Sequence, residues 1–135
     1  MRGHAVLALY MLARCAEARF DAIDYDAKPL KEARRHYERF LDESERLRRL
    51  PDPARGWVER LLPAVKERLG GVYVQLLAKR LQVAAYYEWK GLPKSARLTY
   101  AAILKEDVLF HKVLPSLPET DAVRKARQRL AEIKP

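Results

Sequence analysis

Few side chains in this sequence have both the type and the spacing that catalysis or metal binding needs. Three histidines, His4, His36 and His111, lie far apart, and none has a cysteine or second histidine at ligand spacing. The lone cysteine, Cys15, has no histidine nearby to activate it, and no glycine-rich phosphate loop is present. Asp21, Asp24 and Asp26 cluster in one segment, but an EF-hand loop needs glycine at its sixth position and glutamate at its twelfth, and the glycine is missing. The segment reads instead as turn-forming and helix-opening acidic residues. No catalytic residue, metal site or cofactor is expected, and the chain reads as a non-enzyme.

The residues left with chemistry to offer are Trp89, Lys90, Lys94 and Arg97, grouped around one turn. Tryptophan and arginine are enriched where truncation of an interface residue costs 2 kcal/mol or more, and basic neighbours steer an acidic partner. Trp89 lies two residues beyond Tyr87, about 200° around a helix, so it cannot share that tyrosine's stripe. It is either exposed and available to a partner, or packed on the helix after Gly91 or on the closing helix.

Two helices must position that turn. Val83, Ala84 and Tyr87 form one helical stripe, and Ala96, Tyr100 and Ile103 another. Gly91 suits the left-handed residue that ends a helix, and Pro93 suits the first turn of the next. Small Ala84 and Ala96 let antiparallel helices approach, with Tyr87 and Tyr100 expected to fill the core beside them. Ala33, Tyr37 and Phe40 repeat the spacing of Ala96, Tyr100 and Ile103 at an offset of 63, which implies at least two related units.

Elsewhere, Leu9, Leu12, Cys15 or Ala16, and Phe20 predict a first helix with Cys15 as a small buried residue. Met1, Arg2 and the apolar run ahead of Cys15 imitate a short lipoprotein signal, but Arg14 stands where a small residue should precede the cysteine. Leu30, Ala33, Tyr37, Phe40 and Leu41 form an inward stripe, ended by Pro51 and Pro53. From residue 54 to 90 the apolar period runs through Trp57, Leu61, Val65, Leu69, Val72, Leu76, Leu77 and Leu81, interrupted by Pro63 and by Gly70 and Gly71. This predicts one long helix bent near the glycines, or two nearly in line. Thr120 is placed to cap a closing helix containing Ala122, Val123, Ala126, Leu130 and Ile133.

The expected architecture is all-α, with tetratricopeptide-like helical hairpins and about five to six helices in one domain, 1–135. A repeat-like unit spans about 4–50, a long connecting helix about 54–90, a second unit about 77–114 and a closing helix about 120–133. The formal net charge of +9 is spread along the chain, with excesses of +2, +3 and +4 in residues 1–50, 51–90 and 91–135. Acidic residues interleave nearly everywhere, so solvated helix faces are expected, and not a phosphate-binding stripe; no nucleic-acid partner is expected. No run approaches the roughly 20 apolar residues that span a bilayer.

The long helix ending Leu-Ala-Lys-Arg-Leu-Gln-Val-Ala-Ala-Tyr-Tyr, then Gly91, the second helix and the tail Leu-Pro-Glu-Thr-Asp-Ala-Val-Arg-Lys-Ala resemble the BamD-like outer-membrane assembly lipoproteins, which are built of tetratricopeptide-like repeats. Leu-Tyr-Met-Leu-Ala-Arg-Cys, the Asp-rich loop and Ala33 to Phe40 resemble the preceding repeat, so the likeness covers the later repeats of such a protein. It implies a scaffold on the periplasmic side of the outer membrane, in contact with a β-barrel assembly subunit or its periplasmic domains. Membrane association would come only through a lipidated N-terminus, which is not evident in this chain. Two departures stand out: Glu43 to Pro51 replaces the usual turn after the first repeat, and Pro118 comes about ten residues late, which implies a helix after Gly91 about three turns longer than usual. The other reading from sequence is a cytoplasmic repeat adaptor with a peptide or protein partner.

Overall fold

Apolar stripes of helical period set the helices of this chain, and glycine, proline and a capping threonine end them. The computed structural model describes residues 2–20 and 26–133, so Asp21 and Asp24 lie outside the described residues. Among the described residues the fold is all-α: α1 (Gly3–Ala18), α2 (Lys28–Leu47), α3 (Arg55–Trp89), α4 (Pro93–Val113) and α5 (Asp121–Glu132), with no strand. Of the two forms expected for 54–90, one continuous helix is found. Pro63 sits inside it at an exposed position, where water can take the carbonyl left without a helical donor.

The ends follow local chemistry. Gly91 adopts φ +75°, and two hydrogen bonds close the end of α3: Gly91 N donates to the Glu88 carbonyl (3.0 Å) and Leu92 N to the Tyr87 carbonyl (2.9 Å). That pair is a Schellman motif, which needs a residue free of the Cβ penalty at the left-handed position. Pro93 opens α4, and the Thr120 hydroxyl accepts from Val123 N at 3.3 Å to cap α5.

The chain divides into two compact units, Met1–Val72 and Tyr73–Pro135, with the boundary inside α3 just past Gly70 and Gly71. The spacing shared by Ala33, Tyr37 and Phe40 with Ala96, Tyr100 and Ile103 is accompanied by burial at matched positions in the two units. Ala33, Tyr37, Phe40 and Leu47 of α2 are buried, as are their counterparts Ala96, Tyr100, Ile103 and Phe110 of α4. Val6 and Ala13 of α1 match Leu77 and Ala84 of α3, again buried in both. Each unit also ties its helices with the same triad. In the first, the Tyr37 hydroxyl donates to Glu17, the next-to-last residue of α1, and Arg68 lies 3.5 Å from that carboxylate. In the second, the Tyr100 hydroxyl donates to Glu88, the next-to-last residue of α3, at 2.6 Å, and Arg129 of α5 pairs with it at 2.5 Å.

Five expected core positions need correction. Cys15 is exposed, as is Leu12, because α1 buries Val6, Leu9, Ala13 and Ala16. This helix is apolar on both faces, so spacing alone fits more than one stripe. Tyr87 is only half-buried; the aromatic core of the second unit is instead Tyr73 stacked on Phe110, ring centroids 3.9 Å apart and planes at 6°. Val83 and Trp57 of α3 are also exposed.

Candidate interaction surface

Of the sequence-predicted residues, Trp89 ends α3, Lys90 follows it, and Lys94 and Arg97 lie in α4. Trp89 is 78 % exposed, so the alternative that it packs on a neighbouring helix is not what the structure shows. Tyr86, 52 % exposed, lies beside it with ring centroids 6.2 Å apart, and Lys90 places its ammonium 5.5 Å from the Trp89 ring and 5.9 Å from that of Tyr86. An ammonium over an indole is attracted by the ring quadrupole, so Lys90 holds its charge at the aromatic pair. Lys94, in the first turn of α4, is exposed.

Arg97 is differently employed. Its Nη1 donates to the Leu130 carbonyl at 3.2 Å and the Ile133 carbonyl at 2.6 Å, satisfying acceptors that the end of α5 leaves without helical donors. Trp89, Lys90 and Lys94 therefore remain outward, while Arg97 fastens α5 to α4. The stripe argument that separates Trp89 from Tyr87 could not detect this, because the carbonyls lie more than 30 residues away in sequence.

Beneath this surface the Glu88 triad sets the electrostatics. The Arg129 guanidinium, followed by the Tyr100 hydroxyl, stabilises the Glu88 carboxylate and lowers its pKa, against an opposing cost of burial. Burial, then donation to Glu88, pushes the Tyr100 phenol up to about 12. In the first unit, burial and Glu17 likewise raise the Tyr37 phenol. These are pairings that hold helices together, with the tyrosines protonated and buried away from any open site.

The histidines do not converge either. Burial, then nearby Arg35, lowers the pKa of His36. His111 has Nδ1 2.8 Å from the Asp107 carbonyl and Nε2 2.8 Å from the Leu117 carbonyl. Only the imidazolium can donate to both, so these bonds raise its pKa, the Asp107 carbonyl contributing most. Among the described residues, no group of three His, Cys, Asp or Glu is placed to hold a metal ion. A shallow groove in the first unit, lined by Asp42, Glu45, Arg46, Arg49 and Leu50, mixes both charge signs. No described helix is long and apolar enough to cross a membrane.

No protein-family model, curated protein or solved structure matches the chain. Positions of α1 and of the end of α3 that share spacing and burial can be set side by side. The positions of α1 that correspond to Tyr86 and Trp89 are Cys15 and Ala18, which are also exposed. The same place in the scaffold is thus filled by small residues in one unit and by a bare aromatic pair in the other, so helix packing does not require the rings.

Proposed function

We propose that this chain is a non-enzymatic helical-repeat scaffold of the tetratricopeptide-like kind, which docks a protein partner through the aromatic end of α3. The observation that carries the reading is Trp89, exposed with Tyr86 and Lys90 where the first unit has Ala18 and Cys15. An exposed indole costs solvation free energy that packing does not recover, and a partner that covers it recovers that cost. The repeated tyrosine–glutamate–arginine triads support the repeat part of the reading, since each unit uses the same parts to join three helical segments.

The finer assignment, to outer-membrane β-barrel assembly in the manner of BamD-like proteins, rests on the sequence resemblance. In that setting the partner is a β-barrel assembly subunit or its periplasmic domains. A pull-down from the native membrane fraction with wild type and a Trp89→Ala, Lys90→Glu variant tests both levels. Loss of the partner by the variant at unchanged circular dichroism and melting temperature is the expected result, and retention of the same partner at the same salt resistance would overturn the docking site. A partner recovered only from the soluble cytoplasmic fraction would replace outer-membrane assembly with the cytoplasmic adaptor reading.

A further inference from the structure

The outer face of α4 breaks the pattern that its internal copy sets. At 100° per residue, Lys94, Leu98, Lys105, Val108, Leu109 and Lys112 share one side of the helix, opposite buried Ala96, Tyr100, Ile103 and Phe110. Leu98 is 74 % exposed, Val108 58 % and Leu109 49 %. The corresponding residues are Lys31, Arg35, Asp42, Glu45 and Arg46 of α2 and Arg49 two residues past its end, all exposed and charged, as on an ordinary solvated helix. A helix in this position is therefore stable with water on that face. Leu98, Val108 and Leu109 are therefore not what the outer face of such a helix needs.

The charge on this face has one sign. The two carboxylates of α4, Glu106 and Asp107, are turned away from it: Glu106 pairs with Arg80 of α3, and Asp107 lies 3.3 Å from His111. Lys94, Lys105 and Lys112 have no ion-pair partner among the described residues. They lie within about 20° of one line along the helix, with Val108 on one side and Leu98 and Leu109 on the other. A second copy of this face would set lysine against lysine. An anionic membrane would have to receive the lysines at the deepest point of insertion, whereas surface-lying helices carry them on the polar face, away from the acyl chains.

We propose that the outer face of α4 docks an acidic amphipathic helix of a partner protein, its carboxylates meeting Lys94, Lys105 and Lys112 and its apolar side chains covering Leu98, Val108 and Leu109. Residues 94, 98, 101, 105, 108 and 112 follow alternating steps of four and three, the seam of a helix that receives another helix. Ala101, small and near the middle, permits close approach. The contact is about 27 Å long, so about 18 residues of partner helix span it. Its carboxylates fall 11 and 7 residues apart, in one order for a parallel partner and the reverse for an antiparallel one, which sets this surface apart from a merely basic patch.

This rests on the scaffold reading but uses the outer face of α4 and not Trp89, Tyr86 or Lys90; Lys94 alone belongs to both groups of residues. The test titrates the full chain with synthetic leucine–glutamate helical peptides. Two carry glutamates at the 11 and 7 spacing, one in each order, and a third has the same composition with its glutamates moved to the opposite helix face. One of the first two should bind at least tenfold more tightly than the third. Lys105→Glu with Lys112→Glu should weaken that binding at least tenfold, Lys105→Gln with Lys112→Gln serves should the first pair misfold, and Trp89→Ala should leave it unchanged. Equal binding of the permuted peptide overturns the proposal, as does loss of binding in Trp89→Ala, which would move the contact to the aromatic end of α3. Lysine-dependent sedimentation with vesicles of equal phosphatidylglycerol and phosphatidylcholine, without peptide binding, overturns it in favour of a lipid surface.

Discussion

At the scale of single residues, polar groups that meet across helices do more than their modest individual energies indicate. Tyr100 is buried, and its hydroxyl binds a carboxylate that Arg129 also holds. Tyr100→Phe keeps the ring and removes one hydrogen bond, and should lower unfolding free energy by about 1 kcal/mol in urea titration. His111 gives a pH signature. Its folded pKa is raised, so its contribution is fully present below the ordinary histidine pKa of about 6.5 and is lost as pH rises through the raised value. His36, with its pKa lowered, acts in the opposite sense, so the wild-type melting curve mixes the two. The difference between wild type and His111→Gln isolates the first: the variant should lose more melting temperature at pH 5.5 than at pH 8.5. Cys15 offers a simpler check, since an exposed thiol should react with an aromatic disulfide reagent in the native state nearly as completely as in denaturant.

At the scale of elements, two glycines of α3 and its boundary behave oppositely because their backbones differ. A Cβ at Gly71 would meet nothing within 4 Å, and the residue is helical and exposed. Gly71→Ala should therefore raise stability by about 0.5–1 kcal/mol through helix propensity and a less disordered unfolded chain. Gly91 also has open space around it, but its φ of +75° makes any Cβ strained. Gly91→Ala should cost about 1–2 kcal/mol, and circular dichroism melts of the two variants should shift in opposite directions. The stop at Gly91, the proline opening of α4 and the Thr120 cap were legible in the sequence because each depends on chemistry within a few residues. The face of α1 was not, since an apolar residue at almost every position leaves periodicity without a reference. Tyr73, a core ring of the second unit together with Tyr100 and Phe110, carries no mark in the sequence because its stacking partner Phe110 lies on another helix.

At the scale of the whole molecule, the likeness between the two units was legible only as Ala33, Tyr37 and Phe40 set against Ala96, Tyr100 and Ile103. The glutamates and arginines that complete each triad are hidden from a linear reading: Glu17 and Arg68, like Glu88 and Arg129, belong to helices that do not follow one another in sequence. Arginine and glutamate are so common on solvated faces here that nothing marks those four in advance. The division into two compact units makes a prediction about how stability is distributed. Tyr37 and Tyr100 are equivalent, both buried and both bonded to the glutamate near the end of the preceding helix. Removing a buried aromatic costs about 3–5 kcal/mol, against about 5–15 kcal/mol for a whole domain. In repeat proteins such losses are local first, because each unit's stability is the sum of its own terms and those at its borders. Hydrogen exchange followed by mass spectrometry should show Tyr37→Ala losing protection mainly in α1, α2 and the first half of α3. Tyr100→Ala should lose it mainly in the second half of α3, α4 and α5. Equal loss across all five helices from either variant would mean that the chain unfolds as one cooperative block, with the boundary near Gly71 carrying no thermodynamic weight.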